Sequence, residues 1–164
     1  MRVYGVTGWK NTGKTTLTER LVAELTAQGL RVSTVKHAHH DTEIDHPGRD
    51  SFRHRQAGAG QVLVASPVRW ALMTELRGAA EPPLQDLLAR FDPCDLILVE
   101  GYKTAPHPKV ETHRQEAGRR GLLAAANPTI RAVASDSAPD TSLPLFHLDD
   151  VAGIAAFIRA EVGL

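Results

Sequence analysis

The residues best placed to do chemistry in this 164-residue chain are Gly8-Trp9-Lys10-Asn11-Thr12-Gly13-Lys14-Thr15, which match G-x-x-x-x-G-K-[ST] at every fixed position. In such a loop the glycines let backbone N–H groups converge on the β-phosphate of a nucleotide, and the helix that starts there adds its partial positive end. Gly8, Asn11, Thr12, Gly13, Lys14 and Thr15 are therefore the expected nucleotide-binding residues, with Lys14 reaching the β- and γ-phosphates and the Thr15 hydroxyl coordinating Mg²⁺. A phosphate-bound Mg²⁺ needs a second acid at the tip of a neighbouring strand. Glu100, which ends Leu96-Ile97-Leu98-Val99-Glu100 and precedes Gly101, is the candidate, acting through water. Asp95 flanks the start of the same run, on the edge of a parallel sheet away from the nucleotide, and is expected to be structural.

The segment from Lys36 to Ser51 begins where a second strand should reach the same edge. It can close over a γ-phosphate as a switch, with Asp45 or Asp50 as the candidate catalytic groups that meet Mg²⁺ or its waters. Five histidines fall between His37 and His54, but irregular spacing and the lack of cysteines argue against a dedicated zinc or nickel site. Solvated side chains, or contacts with anionic ligand groups, explain them as well. Arg49, Arg53 and Arg55 suit a phosphate-bearing second ligand, as they suit an exposed helix face. For the base, the signature Asn-Lys-x-Asp is absent, because Asn127 is followed by Pro128. Asp136, after the run Ile130 to Ser135, offers a carboxylate that can accept from guanine N1–H and the 2-amino group; a plain turn aspartate is the equal alternative.

These groups need a sheet to carry them. Val3 to Thr7 reads as a buried strand, Lys14 to Gln28 as a helix with Leu17, Leu21, Val22 and Leu25 on one face and Gly29 at its end, and Arg31 to Lys36 as a second strand. Together they make a right-handed βαβ unit. A loop over His37 to Gly48, a short helix over Asp50 to Ala57, and a hairpin of Gln61 to Ser66 with Arg69 to Leu76 follow. Then come a helix over Pro82 to Phe91, a central strand over Asp95 to Glu100, a short strand over Lys109 to His113, a mobile loop over Gln115 to Gly121, a strand over Ile130 to Ser135 and an amphipathic helix over Asp149 to Val162. The expected fold is α/β: one doubly wound, mostly parallel sheet with helices on both faces and an extra β-hairpin, in a single domain spanning 1–164.

Composition agrees with that class. Hydrophobic residues make up 42% of the chain, enough for one core, and the 19 basic and 19 acidic side chains cancel. No overall field draws the chain to nucleic acid or an anionic membrane, so anion binding must be local. The single cysteine, Cys94, cannot form an internal disulfide, the apolar stretch at the N-terminus is too short for a signal-peptide core, and no segment approaches the length of a membrane span. A cytoplasmic protein is expected.

Four stretches, in order along almost the whole chain, resemble the molybdopterin-guanine dinucleotide biosynthesis accessory protein B family: Gly8 to Thr16, Val35 to Ala59, Asp95 to Lys103, and Pro108 to Arg114. The second, V-K-H-A-H-H-D-T-E-I-D-H-P-G-R-D-S-F-R-H-R-Q-A-G-A, is far more particular than a phosphate loop. The resemblance implies a P-loop fold, a weakly hydrolysing GTP-binding homodimer, and a partnership with the guanylyltransferase that joins GMP to molybdopterin. It implies GTP phosphates at Gly13, Lys14, Thr15 and Thr16, Mg²⁺ at Thr15 and Glu100, and a pterin or nucleotide contact around Lys36, His37, Asp45, Asp50 and Arg53. Trp9 stands where a smaller residue is expected, and Lys10 is one position off the second P-loop lysine that some distant ATPases use across a dimer. Two other readings remain beside this one. One is a small-molecule kinase with His113-Arg114 and Arg119-Arg120 as an arginine lid; the other is a nucleotide-switched carrier or metallochaperone holding metal between His37 and His54.

Overall fold

The computed structural model describes residues 1–38, 43–117 and 121–164. They form two compact units, one of Met1–His37 with Phe91–Leu164 and one of Ala38–Arg90.

The larger unit is built on a six-stranded parallel sheet of β1 (Arg2–Thr7), β2 (Val32–Lys36), β5 (Leu96–Glu100), β6 (Lys109–His113), β7 (Ile130–Ser135) and β8 (Leu145–His147), in the order β2-β5-β1-β6-β7-β8. The strand order turns at β1, which has β5 on one side and β6 on the other. That is the point in an open parallel sheet where ligands bind beyond the carboxyl ends of the strands. Helix α1 (Lys14–Ala27) buries Leu17, Leu21 and Leu25, spaced four apart as one helical stripe requires. Helix α4 (Val151–Val162) starts at Asp150, whose carboxylate accepts the Gly153 N–H at 3.0 Å, and buries Ile154, Ala155 and Ile158. Both helices pack on the sheet face made by Tyr4, Val6, Leu96, Leu98, Val110, Ala132 and Ala134.

The opposite face carries buried polar groups. Glu111, fully buried, accepts the backbone N–H groups of Leu123 and Ala124 at 2.8 Å each, which caps the 3-10 turn Leu123–Ala126 against β7. Burial raises the Glu111 carboxyl above its ordinary range, and these two donors offset part of that cost. Lys109, also fully buried, donates to the carbonyl oxygens of Ala105 and His107 and, at 2.8 Å, to the Thr129 hydroxyl. Its stem and the His107 ring lie across β1 at Gly5, where a methyl group would come within 2.6 Å of Lys109 Cγ and 2.8 Å of His107 Nε2.

The smaller unit holds α2 (Asp50–Gln56), the hairpin of β3 (Gln61–Ala65) and β4 (Trp70–Thr74), and α3 (Leu84–Leu88). Its centre is ionic rather than apolar: Val62 is its one buried hydrophobic among the described residues. Arg55 pairs with Glu43, donates to Glu75 at 2.7 Å, stands 3.6 Å from Asp45 and covers the Phe52 ring at 5.3 Å. Its side chain is only 12% exposed, so the guanidinium depends on those acids. Leu63, Val64, Val68, Trp70, Leu72 and Leu76 are exposed, Trp70 at 68%.

The sheet, the helices and the hairpin are as the sequence leads one to expect. The 3-10 turns differ, Gln115–Ala117 standing where a loop was expected and Leu123–Ala126 where no element was, and so do two further elements. Strand β8 was not anticipated, because three residues beside Pro144 carry no periodic signal, and its pairing is supplied by β7. Helix α3 spans five residues where Pro82 to Phe91 was expected, because Pro83 holds extended backbone at its start. No helix among the described residues is long and apolar enough to cross a membrane.

Two predictions follow from these polar interiors. Arg55→Met strands three acids without their cation, and should increase proteolysis and hydrogen exchange within residues 38–90 while leaving the parallel sheet protected. For His107, burial and then the Lys109 charge hold the imidazole down at about 4, from an ordinary 6.5. As pH falls through that window the unfolded chain takes up a proton that the folded chain refuses, so stability falls. Urea midpoints of His107→Leu should decline less steeply than wild type between those two pH values; parallel declines would refute the assignment.

Candidate functional site

Loop 8–13 leaves β1 at the carboxyl edge and turns into α1 through three left-handed positions, Gly8 at φ 146°, Asn11 at 64° and Gly13 at 93°. At Gly8 a side chain would meet the Thr112 carbonyl oxygen, and its Cβ would lie 2.6 Å from the Thr112 hydroxyl and 2.7 Å from that of Thr12. Thr12 and Thr112 share a buried hydrogen bond of 2.8 Å; the Trp9 carbonyl oxygen lies 2.9 Å from the Thr12 hydroxyl and the Thr7 carbonyl oxygen 3.1 Å from that of Thr112, so whichever hydroxyl accepts within the pair donates to its own carbonyl. These contacts weld the loop to β6. Thr12 is thus buried as a brace, whereas Asn11, Gly13, Lys14, Thr15 and Thr16 line a cleft of about 800 Å³ together with Lys10, Glu100, Arg114, Glu116 and Ala117.

Parallel register brings the other groups level with the loop. Glu100 is the partner of Val6 on β1 and of Lys36 on β2. The Thr15 hydroxyl donates to Glu100 Oε1 at 2.8 Å, and Lys36 Nζ lies 3.4 Å from Thr15 Oγ1 and 3.6 Å from Glu100 Oε1. The nearly buried Glu100 carboxylate thus converges with a hydroxyl on a point that already attracts a cation. Hard oxygen donors of this kind suit Mg²⁺, so the residues present fit that ion. Lys14 Nζ folds back onto Trp9 O at 2.6 Å. Burial lowers the Lys14 pKa from its ordinary value; Glu100 opposes this, and Lys103 and Lys36 add to it. Lys14, Lys36 and Lys103 against one carboxylate make this side of the cleft locally positive in a chain of zero net charge.

Trp9 lies in the rim: its indole N–H donates to Gly121 O at 3.0 Å, and Lys103 Nζ sits 4.6 Å from the ring centroid. His37 stacks on Tyr102 at 4.4 Å between ring centroids, where Gly101 at φ 94° and Tyr102 at φ 43° turn the chain away from Glu100. On the other side of β1, His113 Nδ1 bonds the Ser135 hydroxyl at 3.0 Å, and Asp136 accepts the Gln115 N–H at 3.0 Å. One Asp136 oxygen therefore holds the 3-10 turn Gln115–Ala117, whose Glu116 and Ala117 line the cleft. Asp95, at the amino edge, binds Arg31 through its backbone N–H at 2.8 Å and its guanidinium at 3.1 Å, which holds the carboxyl below its usual range.

The remaining candidates belong to the smaller unit. Asp45 is committed: it accepts from His46 N and the Ser51 hydroxyl at 2.9 and 3.0 Å and faces Arg55, so its pKa is lowered even though burial works the other way. Asp50 is exposed in the first turn of α2, 3.6 Å from Arg53. Among the described residues no group of three or more His, Cys, Asp or Glu is placed to hold a metal; His39, His40, Arg119 and Arg120 lie outside those residues. Lys10, one position off a second P-loop lysine, and Glu116, in no motif, carried no role from the sequence; their proximity to the cleft comes from the fold.

Comparison with known proteins agrees with this geometry. The family model described as molybdopterin guanine dinucleotide synthesis protein B matches residues 3–136. The molybdopterin-guanine dinucleotide biosynthesis adapter protein of Escherichia coli is 44% identical over 152 residues, covering 92% of this chain and 87% of that one. The Haemophilus influenzae adapter protein is 41% identical over 160 residues, covering 96% and 87%. A MobB homologue from Bacillus stearothermophilus superposes with a TM-score of 0.72 at 32% identity, over 99% of both chains. Bacillus subtilis MobB gives 0.75 at 27%, over 99% and 98%. A P-loop at the switch point of this sheet, joined to a match of that extent, makes the chain a member of the molybdopterin guanine dinucleotide synthesis protein B family.

Proposed function

We propose that this chain is a Mg²⁺-dependent GTP-binding adapter in the formation of molybdopterin guanine dinucleotide, hydrolysing GTP slowly. The observation that carries this reading is the convergence of Lys14, the Thr15–Glu100 pair and Lys36 on one cleft at the end of β1. Lys14 holds the β- and γ-phosphates, Thr15 and Glu100 hold the metal, and Lys36 meets the charge on the γ-phosphate side. Mg²⁺, when bound, neutralises charge on the phosphate oxygens. The relatives' names supply the pathway. Guanine recognition falls to Asp136 and the turn it holds, and the molybdopterin-bearing ligand or the guanylyltransferase is met by Lys36 and His37 of the larger unit.

Slow hydrolysis follows from the lining. Among the described residues its carboxylates are Glu100, engaged by Thr15, and Glu116 on the far turn, and no glutamine or histidine lines the cleft to orient water. Association into a homodimer accounts for the exposed Leu63, Val64, Val68, Trp70 and Leu72 of the hairpin, an apolar surface of the kind that marks an interaction site.

Isothermal titration with GTP and ATP tests the site. Lys14→Ala should weaken GTP binding by roughly 100-fold, on the order of 3 kcal/mol for a lost charge contact to phosphate. Glu100→Gln should retain binding but lose most of its dependence on Mg²⁺. Equal affinity for ATP, with no binding of a molybdopterin-bearing ligand, would overturn the proposal. Light scattering checks the dimer: Trp70→Lys with Leu72→Lys should shift the mass to that of a monomer, and an unchanged mass would remove the hairpin from the interface.

A further inference from the structure

Arg114 follows β6, the neighbour of β1 on the side away from β5. Its neighbours are tethered on both sides, the His113 side chain by the Ser135 hydroxyl and the Gln115 backbone N–H by Asp136. That clamp delivers the guanidinium against the phosphate loop. Its Nε lies 3.2 Å, and its Nη2 3.6 Å, from where a side chain on Gly13 would begin, and it lines the cleft with Lys14 and Thr15. Yet its donors are uncommitted: the side chain makes no hydrogen bond and no ion pair within 4 Å among the described residues. The carboxylate of Asp149, whose charge it senses, is taken by Arg20 at 2.6 Å.

The cleft is therefore two-sided. Thr15, Glu100 and Lys36 stand on the β5 side, where the cation-attracting point lies. A polyphosphate on the loop has further non-bridging oxygens beyond those that face the cation-attracting point, and Arg114, following β6, is a cation that lines the cleft with Lys10 and Lys14. A guanidinium between two tethered neighbours, with no acceptor among the described residues, is preorganised for two parallel hydrogen bonds to a phosphate.

We infer that Arg114 is an arginine finger supplied in cis, which grips the α- and β-phosphates of the bound nucleotide opposite the metal and stabilises the transition state of hydrolysis. The inference rests on the nucleotide reading of the cleft. In the reaction a water oxygen bonds to the γ-phosphorus and the bond from that phosphorus to the β–γ bridging oxygen breaks. The electron pair stays on the β-phosphate of the departing diphosphate, and the proton from water leaves with inorganic phosphate. The charge that Arg114 faces grows as that bond lengthens.

Arg114→Ala and Arg114→Lys separate the roles, with folding checked by circular dichroism and thermal melts. Binding of GTP, GDP and inorganic tripolyphosphate, together with single-turnover hydrolysis of GTP, is measured with Mg²⁺ present. Arg114→Ala should weaken all three ligands by about 10- to 100-fold and slow hydrolysis by roughly 1,000-fold, while the Mg²⁺ requirement is unchanged. Arg114→Lys should recover most of the affinity through its charge but little of the rate, because it lacks the planar fork. Affinity and rate within about twofold of wild type in Arg114→Ala would overturn the inference, as would a loss for GTP with tripolyphosphate unaffected, which would make Arg114 a base contact. If Arg114→Ala does not fold, a rate for Arg114→Lys equal to wild type overturns it. Failure of wild type to bind any nucleotide would instead overturn the reading of the cleft itself.

Discussion

The carbonyl oxygen of Thr112 stands where any side chain at position 8 would have to go. Because Gly8 has none, β1 can end against β6 and the chain can swing back over its own strand, with the Thr12–Thr112 bond closing the contact at 2.8 Å. The cleft depends on that approach. It fixes the height of the loop above the sheet, and so the height of Lys14 and Thr15 relative to Glu100, whose position is set independently by its register with Val6.

The sheet faces do different work. The face under α1 and α4 is apolar and carries the hydrophobic stabilisation of the larger unit. The other face is polar and buried, and its cost is offset group by group: Glu111 caps a 3-10 turn, Lys109 fastens the 105–107 segment, and Gly5 makes room for both His107 and the Lys109 stem. The larger unit thus hangs the segments near the cleft from charged anchors inside a neutral chain. The smaller unit repeats the device around Arg55, with an exposed apolar hairpin beside it.

The cleft is polarised in the same way. On the β5 side its charges are close enough to compete, with Lys36 resting near the oxygens that suit a metal. On the β6 side, the Arg114 side chain makes no hydrogen bond or ion pair among the described residues. An arrangement with one contested and one uncommitted cation accords with the proposed slow hydrolysis, because among the described residues the cleft presents cations without a glutamine or histidine beside them.

Much of this was legible in the residues themselves. Gly8 to Thr15, the helical stripe of Leu17, Leu21 and Leu25, and the run ending at Glu100 are local patterns, and local patterns follow from backbone sterics and periodicity that need no partner. Thr12 and Asp45 show where that reasoning stops. Both matched a site by type and position, and in the fold Thr12 braces the loop and Asp45 faces Arg55. Nothing in the order of residues says that Thr112 will face Gly8, that Asp136 will hold Gln115, or that Arg114 will lie against Gly13. Those are cross-strand neighbours set by parallel register across connections of many residues. The sequence alone determined the loop and the strands that carry its chemistry; only the tertiary structure decided which charges face that loop, because register and packing, not spacing along the chain, choose the neighbours.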